Sequence, residues 1–254
     1  MTQEPLPQLA RDAAALLLQA RASGTLLPGL PEALVPRTAA AAYAIQQYLM
    51  QGLGDIGGWK VGAPGPAAEP NCAPMPAGGI HRSPAVLAAA DFAAPFMESE
   101  IAFLLGADLP VRDTPYSADE VGAAIASCHP AIEVVQSRFA DPDAAGALAN
   151  LADLIRHGAF IYGSAIEGWQ GIDFPSLAIV QTIEGGPTRQ GVGNPAGDMM
   201  RLMLWLANEG AVWAGGLRAG QIVTCGSWTG MTPAGPGEVV TAFAGVPPVV
   251  LRLE

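Results

Sequence analysis

The chain has 254 residues, half of them hydrophobic, and a formal net charge of −11. That length buries one sizeable core, or a core with a small appendage. The acidic balance argues against nucleic acid or an anionic membrane surface as partner, since both call for a basic protein face, and no uninterrupted apolar run reaches the ~20 residues of a membrane span.

The opening stretch MTQEPLPQLARDAAALLLQARASG carries Glu4 early and Arg11 ahead of its apolar part. It reads as an amphipathic helix that stops near Gly24, not as a signal peptide. A second helix is predicted over PRTAAAAYAIQQYLMQGLG, with Thr38 as N-cap and Gly52 or Gly54 as its end. After Gly58 the texture changes to Gly and Pro, and GWKVG reads as a strand running into long loops. PFMESEIAFLLGADLP is a strand and a turn. SADEVGAAIASCHP is a helix with a capping box between Ser117 and Glu120, and AIEVVQSRF is a strand. DLIRHGAFIYGSAI is a strand entered from a loop, and SLAIVQTIEGG with TRQGVG is a hairpin. AGDMMRLMLWLANEG is a helix ended by Gly210; GQIVTCGSWTG and GEVVTAFAGVPPVVLRLE are short strands. Strands do not alternate regularly with helices, so an α+β fold is expected rather than a doubly wound sheet. The three cysteines, Cys72, Cys128 and Cys225, are odd in number and widely spaced, which suits a reduced, cytoplasmic protein.

Two oddities point to chemistry. On a strand, residues i and i+2 share a face, so Glu98 and Glu100 project together while Ser99, Ile101 and Phe103 point the other way. Alternate acids on a solvated strand are ordinary, and this pair alone does not require a cation. Glu133, inside the apolar strand AIEVVQ, repeats the anomaly and tilts the reading toward a metal site. Such an oxygen-rich set suits Mg²⁺, Mn²⁺ or Ca²⁺, and the lack of histidine spacing argues against zinc. The second oddity is Lys60, the chain's only lysine beside eleven arginines. A lysine that survives such a bias is expected to be needed as a compact ammonium of movable pKa, with chance survival as the plain alternative. His81, His129 and His157 show no ligand spacing and read as structural or exposed, and Arg138 ends a strand where it could bind a carboxylate or pair with a local acid.

Taken in order, GWKVG, the Glu-x-Glu of MESEIAFLLGADLP, PAIEVVQSRF, GNPAGDMMRLMLWLANEG and LRAGQIVTCGSWTGM resemble the 2-keto-4-pentenoate hydratase and 4-oxalocrotonate decarboxylase branch of the fumarylacetoacetate hydrolase superfamily. The resemblance covers most of the chain. It implies a mixed β-roll core over residues 59–254 with flanking helices, preceded by a helical N-terminal segment over 1–58. It implies homo-oligomers, and it leaves room for association with a partner enzyme of the same pathway. It implies Glu98, Glu100 and Glu133 as ligands of Mg²⁺ or Mn²⁺, Lys60 as the catalytic lysine, and a small 2-oxo or 2-hydroxy-dienoic acid as substrate. The activity implied is a hydratase of aromatic-compound breakdown; a decarboxylase, or a non-catalytic subunit of the same fold, are the alternatives. Two places depart from the pattern. Ser83 stands where relatives commonly carry Asp. Where they show Asp-Asn-Ala-Ser, this chain keeps Asp153 but has Leu154 and Arg156. Ser83, Asp153 and Arg138 are therefore the residues expected around the substrate.

Overall fold

The computed structural model describes residues 8–254; Glu4 and the expected first turn of the opening helix lie outside them. Helix α1 (Gln8–Ser23) packs on α2 (Ala39–Leu53). Thr38 caps α2 by accepting from Ala41 N, and Gly54 ends it. The chain then runs through β1 (Ile56–Gly62), β2 (Asn71–Pro76), β3 (Ile80–Arg82), β4 (Ala85–Leu87), β5 (Phe96–Leu105) and β6 (Leu109–Pro110). Next come α3 (Ala118–Ala123), β7 (Ile125–Val135), α4 (Pro142–Ala145), α5 (Ala147–Ala152) and β8 (His157–Tyr162). The hairpin β9 (Ala178–Ile183) and β10 (Arg189–Val192) precedes α6 (Met199–Trp205). Strands β11 (Gly216–Leu217), β12 (Ile222–Ser227), β13 (Thr232–Pro233), β14 (Gly237–Phe243) and β15 (Val249–Leu253) close the chain.

The strands form two main sheets. The larger has the order β2-β1-β12-β5-β7-β8-β3, with β13 beside β5, and is antiparallel except where β1 meets β12 and β3 meets β8. The smaller is β10-β9-β14-β15-β4, and β6 with β11 makes a separate two-stranded ladder. This is the mixed α+β architecture the sequence predicts, with helices and strands interspersed but no regular βαβ alternation.

Side-chain alternation divides the larger sheet into two faces. One buries Trp59, Val61, Ile101, Phe103, Val223 and Cys225 against α6 and its neighbours, and Met97, Ile132, Val134 and Ile161 against the smaller sheet. Ser99 Oγ ties the sheets together, 2.8 Å from Thr241 Oγ1 and accepting from Gln181 Nε2 at 2.9 Å. The other face carries Met75, Ala102, Ala131, Phe160 and Ile222, and on it the functional side chains. The helical pair and α5 pack beside it, over Ala73, Phe139 and Leu154.

Three local expectations are corrected. The Gly/Pro-rich stretch after Gly62 is not all loop: Asn71–Pro76 forms β2, whose Pro74 and Pro76 are accommodated because it is an edge strand bonded only to β1. Helix α3 stops at Ala123, sooner than read, because β7 begins at Ile125 and runs through Pro130. The Pro130 carbonyl accepts from Gly163 N just past the end of β8, and the Gly163 carbonyl bonds instead to His129 Nδ1 at 2.9 Å. The proline therefore leaves no orphan in the ladder. Finally, the last turn of the helix at Met199 is π-helical, over Leu206–Gly210.

Candidate metal centre and lysine

Strand register brings the site together. Glu98 on β5 lies directly opposite Glu133 on β7, and Lys60 on β1 lies beside Thr224 on β12, itself opposite Ala102 on β5. Directly paired residues share a face, so Lys60, Thr224, Glu98, Glu100 and Glu133 all project from one side of the sheet. Like charges directly opposite each other destabilise a ladder, so this pairing calls for a compensating cation. One carboxylate oxygen from each of Glu98, Glu100 and Glu133 falls within a group whose members all lie inside 4.8 Å of one another. Glu100 and Glu133 are 2% and 0% exposed, whereas Glu98 is only half-buried and marks the outer side.

Lys60 Nζ donates to Glu133 Oε1 at 2.6 Å and to the Ile155 carbonyl at 3.2 Å, which leaves one ammonium N–H. His157 Nδ1 lies 2.9 Å from the same Oε1. Glu133 Oε2 is buried and has no hydrogen-bond partner. Thr224 Oγ1 donates to Glu100 Oε2 at 2.5 Å. Burial pushes the carboxyls of Glu98 and Glu100 up, Glu100 well above its usual range, and the neighbouring carboxylates add to both shifts. Burial works against Glu133 as well, but the Lys60 ammonium and the His157 hydrogen bond outweigh it and hold that carboxyl low. Burial opposes the charge on Lys60, yet Glu133, Glu98 and Glu100 together hold its pKa up, so it stands as an ammonium. Burial lowers His157, leaving a neutral imidazole whose Nδ1–H donates to Glu133. A buried carboxylate oxygen without a donor, beside two more carboxylates, is the arrangement a hard divalent cation satisfies. The residues present fit such an ion.

Behind the cluster the chain makes a left-handed turn without glycine: Leu154, Ile155 and Arg156 have φ of 52°, 51° and 61°. Each such residue costs about 1–2 kcal/mol, and the turn is what aims the Ile155 carbonyl at Lys60. It is held by Arg156 N donating to the Asp153 carbonyl at 2.8 Å and Gln136 N donating to the Arg156 carbonyl at 2.7 Å.

The residues expected around the substrate are placed differently from the metal set. Asp153 is fully buried; it accepts from Arg138 N at 2.9 Å and pairs with Arg21 at 3.4 Å. Arg138 and Arg21 both donate to the His157 carbonyl, at 3.2 and 2.9 Å. Their polar groups are thus engaged with one another and with His157, the residue that braces Glu133. Ser83 follows Arg82, which pairs with Tyr162 on the site face; Ser83 turns to the smaller sheet, where its Oγ donates to Val250 O and accepts from Val250 N. The structure brings neither Ser83 nor the Arg138–Asp153 pair to the carboxylates. The sequence reading does not single out Thr224 or His157 as site residues; the structure places them on Glu100 and Glu133. For Thr224 a signal existed, since a polar residue sits in the apolar run IVTC just as Glu133 sits in AIEVVQ.

No family model matches the chain. Among curated proteins it is similar to 2-keto-4-pentenoate hydratase of Paraburkholderia xenovorans, 30% identical over 57% of this chain and 53% of that one; the match thus spans about half of that relative's length. It is similar along most of its length to the TodF product hydratase of Pseudomonas putida, 29% identical over 90% of this chain and 89% of the relative. Among solved structures, 4-oxalocrotonate decarboxylase from Pseudomonas putida G7, complexed with magnesium and adipate, superposes with a TM-score of 0.83 over all of both chains at 21% identity, and so shares the fold. No helix among the described residues is long and apolar enough to cross a membrane. The similarity to hydratases in sequence and to 4-oxalocrotonate decarboxylase in fold supports the 2-keto-4-pentenoate hydratase and 4-oxalocrotonate decarboxylase branch of the fumarylacetoacetate hydrolase superfamily as the one this chain resembles.

Proposed function

We propose that the chain is a divalent-cation-dependent lyase that adds water to 2-hydroxypenta-2,4-dienoate or a related 2-oxo-enoate from the breakdown of aromatic compounds. The observation that carries this is the buried, donor-free Oε2 of Glu133 beside Glu98 and Glu100, with an ammonium against the same carboxylate. The hydratases among its relatives supply the reaction class. Glu98, Glu100 and Glu133 would hold Mg²⁺ or Mn²⁺; the solved neighbours carry magnesium or calcium, both hard ions. A β-roll core from residue 59 onward, an N-terminal segment ending at residue 58, a homo-oligomeric assembly and a cytoplasmic location complete the proposal.

A cation in this position supplies Lewis acidity to a carbonyl oxygen. The chain's own contribution centres on Lys60. Its ammonium is fixed by Glu133 and the Ile155 carbonyl, so its remaining N–H is oriented in advance toward a substrate oxygen. There it stabilises negative charge as the charge builds, and it holds a proton that can be passed to the substrate. His157 keeps Glu133 in place and Thr224 keeps Glu100 in place. Partners of this kind commonly set metal affinity, and Thr224→Val should weaken Mn²⁺ binding about 10–100-fold in a calorimetric titration. A decarboxylase would build charge on the same oxygen, so products separate the two reactions.

The test is a substrate panel with Mg²⁺ and Mn²⁺. Cation-dependent loss of the dienoate absorbance with formation of 4-hydroxy-2-oxopentanoate is expected. Cation binding without turnover of any dienoate or of 4-oxalocrotonate would overturn the proposal and leave a non-catalytic member of the fold.

A further inference from the structure

Helix α1 carries none of the carboxylates and packs chiefly on α2, yet Arg21 in its last turn reaches the segment behind the site. A single nitrogen, Nη2, donates to the His157 carbonyl at 2.9 Å and lies 3.4 Å from Asp153 Oδ1. Asp153 precedes the left-handed turn Leu154–Arg156 and His157 follows it. The guanidinium therefore spans the turn and ties its two ends together. Neutralising Asp153 does not require this contact. Arg138 already pairs with Asp153 and bonds the same His157 carbonyl. Arg21 adds a second buried guanidinium to the one carboxylate they share, and its Nε is enclosed without an acceptor. Buried charge of this kind contributes little net stability; what the contact supplies is a fixed geometry.

That geometry bears on Lys60. Non-glycine residues in the left-handed region persist only where their surroundings hold them, and this turn presents the Ile155 carbonyl to Lys60 Nζ at 3.2 Å. Just past the turn, His157 opens β8 and donates from Nδ1 to Glu133 Oε1, the oxygen that Lys60 also bonds. Both contacts that fix the ammonium thus run back to the segment that Arg21 grips. If the turn opens, the ammonium keeps Glu133 but loses its second acceptor, and its third N–H is no longer directed. We propose that Arg21 is a positioning residue for Lys60: from helix α1 it clamps the two ends of the left-handed turn and thereby fixes the direction of the ammonium.

Its effect on turnover rests on the function proposed above, and the test separates the two. Lys60 is the chain's only lysine, so protein made with lysine ¹⁵N-labelled at Nζ gives one ammonium signal by NMR, read without cation or substrate. In Arg21→Gln this signal is expected to shift and its N–H exchange with water to quicken. Turnover with Mn²⁺ should fall about tenfold, the lower end of what outer partners of a site cost. Leu17→Ala is the structural control: Leu17 is buried on α1 against α2 and makes no part of the clamp. It should lower the melting temperature and leave signal and turnover unchanged. Asp153→Asn removes the charge that Arg21 pairs with while keeping the shape, and should reproduce the shift. An unmoved signal in Arg21→Gln, or in Asp153→Asn where the first variant does not fold, or an equal shift in Leu17→Ala, overturns the positioning role. A shifted signal in a chain whose native form turns over no dienoate strikes the proposed function and leaves the clamp standing.

Discussion

Lys60→Met should lower turnover about 10²–10³-fold, the usual effect of removing one preorganised donor to a developing oxyanion, while leaving the protein able to bind its cation. The two effects separate for an electrostatic reason. Lys60 and a divalent ion compete for the same carboxylates, and Lys60 Nζ is 2.6 Å from Glu133 Oε1. Removing the ammonium frees that oxygen and removes a repulsion, so Mn²⁺ affinity should stay level or rise. Without cation the variant should suffer, since it leaves a fully buried carboxylate without its ammonium, and breaking a buried pair costs about 3–5 kcal/mol. Thermal melts with and without Mn²⁺ check this: the cation should raise the melting temperature of Lys60→Met by more than that of the native protein. Unchanged turnover in Lys60→Met would remove the lysine from the mechanism.

Glu133→Gln should fail in the opposite order. It removes the carboxylate that bears both the free oxygen and the Lys60 and His157 contacts. Cation affinity should fall by about 100-fold or more, at or beyond the upper end of what losing an outer partner costs, and turnover should fall with it. An excess of Mn²⁺ should not restore activity, because Lys60 has lost its anchor too. Calorimetric titration and a steady-state assay on one preparation give both readings. Loss of turnover with cation affinity intact would mean that Glu133 serves only the lysine.

The candidate site residues are legible in the sequence because each breaks a local rule. Glu98 and Glu100 are acids at the mouth of an apolar strand, Glu133 is an acid inside another, and Lys60 is alone of its kind. Their convergence was not legible, because the Glu98–Glu133 register pairs residues far apart in sequence, and periodicity within one strand says nothing about its neighbour. The left-handed turn at Leu154–Arg156 was hidden for a different reason: no glycine or asparagine announces it, and tertiary hydrogen bonds hold it in place. Pro130 misled directly, since it reads as a strand boundary while the His129 side chain satisfies the acceptor it leaves. The resemblance implies Arg138 and Asp153 around the substrate; their buried contacts run to each other, to Arg21 and to the backbone of His157, which no local sequence pattern announces.

Glu98, Glu100 and Glu133 are proposed to hold one divalent cation. A crystal grown with Mn²⁺ and measured at the manganese absorption edge tests it most directly. A single anomalous peak is expected on the shared face of β5 and β7, at about 2.0–2.3 Å from one oxygen of each of the three carboxylates, with Glu133 Oε2 among the ligands. A peak elsewhere, or none at saturating Mn²⁺ with all three side chains ordered, would contradict it.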